Sequence, residues 1–316
     1  MRRVLPLGLS LAGLLAAQFQ LPPPGGAPPQ ELSKPVEKPP EKPVLANNGR
    51  PMVVSYRCAE EDMTWAGLAC SEDEPCRFYL ELAAVEPLGN KIFLAGNIHS
   101  SSTTLSSIFL ASEDSGKTWI EPFERIRGGG LDHIQFVDFE NGWVSGQVLQ
   151  PLPQDPFLLI TSDGGKTWRR RPVFGESRGG SILQFGFGSK TAGSLVIDRG
   201  EPGDSGRYEL YETPNGGETW MLREITDRQP KIPRAGTGNP DWRLRPDAAT
   251  KSFRVEHRQG ERWTSLASFA IPIGTCTAPE RERPQAPAAV EAPSAEPAPA
   301  PAPPVKPPPS LRKPRP

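Results

Sequence analysis

Short apolar runs recur through the middle of the chain, and each one ends at a polar turn that contains glycine. Three such runs are residues 107–111, 157–160 and 208–211. Runs of this length, rich in β-branched and aromatic residues and bounded by turn residues, are typical of β-strands. A tryptophan follows each turn within eight residues of its start, which predicts a second strand there. The pattern therefore predicts a strand, a tight turn and a second strand, repeated three times.

The three turns have one sequence pattern, [S/T]-x-[D/N]-x-G-x-T-W, at residues 112–119, 161–168 and 213–220. The Asp or Asn side chain is expected to accept hydrogen bonds from backbone N–H groups further along the turn, with local help from the Ser or Thr hydroxyl. The glycine can take the positive φ of a tight reversal, and the tryptophan supplies a large apolar anchor. The predicted structural residues are Ser112, Asp114, Gly116, Trp119, Thr161, Asp163, Gly165, Trp168, Thr213, Asn215, Gly217 and Trp220.

Two weaker copies extend the repeat. Residues 256–263 keep Gly260 and Trp263, and a fainter copy ends at Trp65. The intervals between the five repeat tryptophans are 54, 49, 52 and 43 residues. A period near 50 residues is the size of a four-stranded propeller blade. We therefore expect an all-β domain, a β-propeller of four-stranded antiparallel blades; its length allows four or five blades and leaves ring closure open.

The three octapeptides resemble the Asp-box, or bacterial neuraminidase repeat, of sialidase-like propellers. Residues 134–146 also fit I-x-F-x-D-x-x-x-G-W-x-x-G, which is similar to a strand pair in propellers of the photosystem II stability and assembly factor type. The first resemblance implies that the boxes are structural turns on the outside of the blades and makes a glycoside hydrolase the alternative function. The second implies contact with a protein partner without turnover.

Proline marks the ends of the predicted domain. Residues 22–50 hold nine prolines and residues 278–316 hold fourteen, out of 39 in the chain. Segments of this composition bury too little apolar surface to offset the entropy of ordering. We predict a linker at 22–50, a folded domain at 51–277 and a disordered tail at 278–316. Residues 1–21 combine a basic start with an apolar stretch at 4–17, as in a signal peptide or an uncleaved signal anchor.

Export would place the four cysteines in an oxidising compartment, where an even number favours disulfides. Cys70 and Cys76 are close enough in sequence to close a small loop. The remaining pair, Cys58 and Cys276, would join the two ends of the folded domain. Four free, buried thiols are the alternative.

Several kinds of chemistry find no support in the sequence. The formal net charge of -1 gives no general attraction to nucleic acid. His99, His133 and His257 are isolated, so neither a metal site nor a cofactor is expected. A sialidase-like enzyme would need a Tyr–Glu nucleophile pair and three substrate-binding arginines. Tyr208 and Tyr211 share one predicted strand with Glu209 and Glu212, which strand alternation explains without catalysis. No catalytic residue is therefore predicted.

Arginines follow two of the boxes. Arg125 and Arg127 lie shortly after Trp119, and Arg169 and Arg171 follow Trp168 directly. Alternation along a strand would put Arg169 and Arg171 on the same face. These arginines could simply lie on solvent-exposed faces of strands. The more specific hypothesis is that they form a basic patch that binds an acidic partner. We expect an exported, non-catalytic scaffold that binds an unknown protein or glycan in the periplasm or outside the cell. Contact with the membrane is expected only through an uncleaved signal anchor. A structural spacer in the cell envelope is a third possible function, beside the scaffold and the glycoside hydrolase.

Overall fold

The computed structural model describes residues 43–149, 152–203, 206–233 and 239–277. The predicted signal at 1–21 and the predicted tail at 278–316 lie outside the described residues. The elements are one helix, α1 (Glu60–Ala66), and the strands β1 (Leu45–Ala46), β2 (Cys76–Leu88), β3 (Lys91–His99), β4 (Thr104–Ser112), β5 (Thr118–Trp119), β6 (Gly129–Phe136), β7 (Gly142–Leu149), β8 (Pro153–Thr161), β9 (Arg169–Pro172), β10 (Ser181–Phe187), β11 (Gly193–Gly203), β12 (Gly206–Thr213), β13 (Met221–Thr226), β14 (Trp242–Asp247), β15 (Ser252–Gln259), β16 (Arg262–Ala270) and β17 (Pro272–Cys276).

Four antiparallel sheets form the blades of a β-propeller. Blade I has the strand order β17-β2-β3-β4, blade II β6-β7-β8-β9, blade III β10-β11-β12-β13 and blade IV β14-β15-β16. The three boxes occupy the same place in blades I to III, directly after the third strand of each repeat. In blade I the last two residues of the box form the short strand β5, and paired hydrogen bonds of 2.8 and 2.9 Å between Ala111 and Ile120 continue it beside β4. The predicted all-β propeller is confirmed.

Blade I contains strands from both ends of the domain. The last strand, β17, pairs with β2 so that Cys276 lies opposite Cys76. A disulfide joins Cys58 to Cys276, with the two Cα atoms 5.8 Å apart. A second disulfide joins Cys70 to Cys76, with the Cα atoms 5.2 Å apart. These are the two pairs that the sequence favoured, and both hold the segment around α1 against blade I.

The folded region begins before residue 51. The predicted linker includes β1, whose Leu45 pairs with Trp119 of β5. Asn47 fixes this segment, because its side-chain amide donates to the backbone carbonyl oxygens of Gly116 (3.0 Å) and Leu266 (2.8 Å). Met52 then exchanges two backbone hydrogen bonds with blade IV, to Ser268 and Ala270 (2.9 and 2.8 Å). The N-terminal segment thus covers the outer edges of two blades, a contact that composition alone does not reveal.

Two expected boxes are absent from the described residues. Trp65 lies in α1, whose first turn carries Glu60, Glu61 and Asp62, acidic residues that favour a helix N-terminus. Residues 256–263 form part of the β15–β16 hairpin, in which Gln259 pairs with Arg262. This segment has no Ser, Thr, Asp or Asn at the positions where the other boxes fix the turn. Blade IV accordingly has three strands of its own rather than the expected four.

Three hydrophobic clusters join neighbouring blades. The first, which includes Trp119 and Phe269, lies between blades IV and I. The second surrounds Trp168 between blades I and II. The third contains Trp143 and Phe187, stacked 3.8 Å apart, between blades II and III. Among the described residues no such cluster joins blade III to blade IV, so the four blades have three packed interfaces. The contact between blades IV and I is the one that β17 and the Cys58–Cys276 disulfide reinforce.

Candidate functional site

Each of the three boxes is a turn stabilised by hydrogen bonds from its own side chains. In the second box the Asp163 carboxylate accepts the N–H of Thr167 (3.0 Å) and the Thr167 hydroxyl (2.6 Å). The Thr161 hydroxyl accepts the N–H of Gly165 (3.0 Å), and Trp168 Nε1 donates to the Gly165 carbonyl (3.0 Å). The first box repeats this arrangement around Asp114. Both carboxylate oxygens of Asp163 accept hydrogen bonds from within the turn, which supports a structural role for the box residues.

The carboxylates of the first two boxes are strongly stabilised in their ionised form. The Thr118 hydroxyl and N–H lower the pKa of Asp114 to about 2. Partial burial acts to raise the pKa of Asp163, but the hydrogen bonds from Thr167 outweigh it and lower the value to about 2. A group with so low a pKa cannot serve as a general acid near neutral pH. The third box has Asn215 instead, whose amide donates to the Thr219 hydroxyl at 2.9 Å.

Arg169 and Arg171 lie on the same face of β9, as strand alternation predicts. Both pair with Glu218 in the third box, at 2.9 and 2.8 Å, and so link blade II to blade III. Reversing both charges would place three carboxylates together. Arg169 and Arg171 therefore have a defined partner within the chain, and reversing their charges would disturb the contact between blades II and III as well as any binding of an external partner.

Arg125 and Arg127 lie elsewhere, in an open groove of about 540 Å³ between blade I and the α1 segment. Arg125 donates to both Glu121 oxygens (2.9 and 2.6 Å) and to the backbone carbonyl of Ser55 (2.8 Å), which fixes it within the wall. Arg127 pairs with Asp62 at 3.0 Å while half of its side chain stays exposed. The described contacts do not bring these arginines together with Arg169 and Arg171.

The rest of the groove is both apolar and polar. Leu105 and Phe123 contribute apolar surface, Tyr56 stands half-buried between the two walls, and exposed Arg57 lies beside it. Burial raises the pKa of the Tyr56 phenol, and the neighbouring Asp62 carboxylate raises it further. Tyr56 is therefore a neutral phenol able to donate or accept a hydrogen bond. The lining also contains Asp62, Glu121 and Glu124, so the groove as a whole is not basic. Its apolar residues, its neutral tyrosine and the half-exposed Arg127 suit an extended peptide with one acidic side chain.

The structure also contains a Tyr–Glu pair that sequence reasoning assigned only to alternation. The Tyr211 hydroxyl donates to Glu209 at 2.9 Å, and Arg178 donates to both of these residues. Glu209 and Tyr211 are 4% and 5% exposed. Burial raises the pKa of Tyr211, and the Glu209 carboxylate adds to the rise. A nucleophilic tyrosine needs the opposite shift and access to substrate, so this group is suited to holding blade III together.

The described part of the chain contains no cluster of three or more His, Cys, Asp or Glu side chains that could hold a metal ion. Its helix α1 is too short to cross a membrane, and no other described segment forms a helix able to do so.

No protein-family model and no curated protein matches the chain. Among solved structures, it is similar to YCF48 bound to D1 peptide, with 15% identity, a TM-score of 0.35 and coverage of 62% of this chain and 59% of that one. It is also similar to YCF48 from Cyanidioschyzon merolae (21% identity, TM-score 0.29, coverage 61% and 56%). A GH74 xyloglucanase from Xanthomonas campestris is a third (17% identity, TM-score 0.29, coverage 58% and 29%). The matched region spans less than two thirds of each of these proteins.

Proposed function

We propose that this chain is a non-catalytic, exported propeller scaffold that binds a protein partner in the cell envelope through the groove beside α1. The observation that carries the proposal is the groove itself, in which half-exposed Arg127 stands over an apolar floor formed by Leu105 and Phe123. An extended peptide segment can bind well in such a groove, because the apolar contacts supply affinity and the charged groups select the partner.

Hydrogen bonds and a disulfide connect the two walls of the groove, which favours a preformed binding site. Arg125 ties Glu121 to the backbone of Ser55 across the groove. The Cys58–Cys276 disulfide closes the chain three residues after Ser55. A preformed site of this kind loses little conformational entropy when a partner binds.

The proposed location follows from the cysteines and the N-terminus. Two disulfides are typical of proteins that leave the reducing cytosol. A basic and apolar N-terminus supports export, either free in the periplasm or outside, or held by an uncleaved anchor.

Capture from envelope extracts with matched charge-removal variants tests the proposal. Arg127→Gln alters the groove, and Arg258→Gln is the control, because Arg258 pairs with Asp241 at 2.9 Å and is 48% exposed, against 50% for Arg127. We expect an acidic partner retained by wild type and Arg258→Gln, released by salt and recovered in a clearly smaller amount by Arg127→Gln. Equal recovery by all three proteins, or hydrolysis of a glycoside by the purified chain, would contradict the proposal.

A further inference from the structure

The groove beside α1 lies close to the point where the C-terminal tail leaves the folded domain. Tyr56 and Arg57 line the groove and directly precede Cys58 in the chain. The disulfide between Cys58 and Cys276 holds the two Cα atoms 5.8 Å apart. Because two residues of chain span no more than about 7 Å, Cys276 lies within about 13 Å of Tyr56. The predicted tail begins two residues later, and therefore beside the groove.

One part of the tail has the chemistry that the groove suits. Residues 284–305 hold eight prolines and two glutamates, Glu291 and Glu296, and no lysine or arginine. Proline-rich sequences favour the extended polyproline II conformation, which is bound in grooves lined by aromatic side chains at a low entropic cost. Residues 22–42 differ, because each of their three glutamates lies within three residues of a lysine. The tail thus supplies an extended segment with a net negative charge.

The groove offers groups that match this segment. Tyr56 and Phe123 are its aromatic residues, and both are partly buried. Arg57 is exposed, and its guanidinium has no ion-pair partner among the described residues of the chain. A guanidinium and a carboxylate form strong, charge-assisted hydrogen bonds. Arg57 is therefore available for the carboxylate of an incoming peptide.

We propose that residues 284–297 of the chain's own tail occupy this groove when no external partner is bound, with Glu291 or Glu296 paired to Arg57. The inference rests on the proposed function, because it assigns an internal competitor to the same groove. Glu291 follows Cys276 by fifteen residues, a length that reaches up to about 45 Å in the polyproline II conformation. Such a tether keeps the segment at a local concentration on the order of millimolar, so a weak contact suffices.

Occupation by the tail would regulate the groove. A partner can bind only the fraction of molecules in which the groove is free, so its apparent affinity falls in proportion to that fraction. A segment that binds weakly and is tethered nearby excludes weak competitors and yields to a partner with a better-matched sequence. The tail is thereby a selectivity device as well as a spacer.

Photo-crosslinking within the purified, full-length, disulfide-bonded chain tests this contact. p-Benzoylphenylalanine replaces Ser55 on the groove wall, and mass spectrometry after proteolytic digestion identifies the peptide that it has joined. With no envelope component present, we expect a crosslink within one chain to residues 284–297. With the probe at Leu152, which lies outside the groove lining, this crosslink should be absent.

Matched variants show whether the crosslink depends on the proposed ion pair. Glu291→Gln/Glu296→Gln should lower its yield about threefold, a change of the size that an exposed ion pair produces. Arg57→Gln should lower the yield similarly from the groove side. Glu280→Gln/Glu282→Gln is the control, because it removes two tail carboxylates that alternate with Arg281 and Arg283, and it should leave the yield unchanged.

Failure of this inference and failure of the proposed function give different results. The inference is overturned by a purified chain that forms no crosslink to residues 284–297, by equal yields from wild type and Glu291→Gln/Glu296→Gln, or by crosslinks that join two chains instead of one. Capture of an external partner that depends on Arg127 would still support the proposed function in each of these cases. Loss of that capture with the crosslink intact would contradict only the external partner.

Discussion

The Asp163 carboxylate stabilises its turn through its negative charge as well as through the geometry of its hydrogen bonds. Its pKa falls from 3.8 to about 2 on folding, so the folded state favours the ionised form. A depressed pKa contributes stability that is present above the unfolded value and is lost as pH falls from about 4 through about 2. In the third box Asn215 makes the same bond to the Thr219 N–H, at 3.0 Å, without titrating.

We therefore expect Asp163→Asn to cost less than about 1 kcal/mol at pH 7, since a neutral amide can replace the carboxylate as acceptor. Between pH 4 and 2 the variant should lose less stability than wild type. Urea unfolding at pH 7, 4 and 2.5 measures both effects. The reverse change, Asn215→Asp, is the matched control and should steepen the loss in acid. Identical pH profiles for all three proteins would show that the box carboxylates do not contribute to acid sensitivity.

Glu86 lies on β2 with its carboxyl turned into the protein. Burial raises its pKa from 4.5 to about 7, although the backbone of Phe136 supplies a hydrogen bond that opposes the rise. Its Oε2 atom is buried and has no partner among the described residues. A raised pKa favours the protonated form, so the stability that this group contributes is complete below pH 4.5 and is lost as pH rises through about 7.

Glu86→Gln should therefore leave stability nearly unchanged at pH 4.5 and increase it by about 2–3 kcal/mol at pH 8, since one pKa unit is about 1.4 kcal/mol. Chemical unfolding at the two pH values measures the difference. Glu261→Gln, an exposed carboxylate, is expected to have no effect at either pH. A destabilised Glu86→Gln at pH 8 would mean that the ionised carboxylate has a partner that stabilises it.

At the scale of the element, the box and its tryptophan act as one unit in blades I and II. Trp168 is 7% exposed and contacts Phe109 edge to face, with ring centroids 4.9 Å apart. In blade III the turn carbonyl of Gly216 accepts Trp143 of blade II instead, at 2.8 Å, and Trp220 is only partly buried. The third box is thus anchored by the preceding blade rather than by its own tryptophan.

Trp168→Ala should destabilise the domain by about 3–5 kcal/mol, because it removes a large buried anchor and leaves a cavity. Trp220→Ala removes a half-buried ring that makes no such hydrogen bond and should cost clearly less. Urea unfolding of the two variants beside wild type gives the comparison. A larger loss from Trp220→Ala would contradict the anchoring roles assigned to the two residues.

The sequence was sufficient for the boxes because most of the side-chain hydrogen bonds that fix these turns join residues within one octapeptide. Ser112, Asp114 and Thr118 bond to one another and to the intervening backbone. The contacts of Met52 with blade IV and of Asn47 with Leu266 join residues more than 200 positions apart, and no local pattern encodes them. The sequence did not predict the groove; it indicated Arg125 and Arg127 only as members of a basic patch. One wall of the groove is the α1 segment, where a tryptophan had suggested a further box.

At the scale of the whole molecule, the blades depend on a covalent link between the ends of the domain. The Cys58–Cys276 disulfide spans 218 residues, whereas Cys70–Cys76 spans six. In the chain-entropy description a longer closed loop stabilises more, about 5 kcal/mol against about 2 kcal/mol for these two lengths. Blade I also receives its last strand from the C-terminal end of the domain, so separation of the ends exposes β2.

Cys58→Ser/Cys276→Ser should therefore lower the Tm more than Cys70→Ser/Cys76→Ser does. Thermal unfolding of both double variants gives the order, after non-reducing peptide mapping has verified the pairs in wild type. Recovery of Cys58 bonded to Cys70, or four alkylatable thiols in the exported protein, would refute the pairing. A larger fall in Tm for Cys70→Ser/Cys76→Ser than for Cys58→Ser/Cys276→Ser would contradict the larger stabilisation assigned to the Cys58–Cys276 disulfide.

Site-specific photo-crosslinking tests the central claim, that a protein partner binds in the groove beside α1. Ser55 has an exposed side chain on the groove wall, and Leu152, which is 73% exposed, lies outside the groove lining. With p-benzoylphenylalanine at position 55, we expect one discrete crosslinked product in the cell envelope that is clearly reduced when Arg127→Gln is added. With the probe at position 152 the same product should be absent. Equal products from both positions, or a product at position 55 that is undiminished with Arg127→Gln, would contradict binding in the groove.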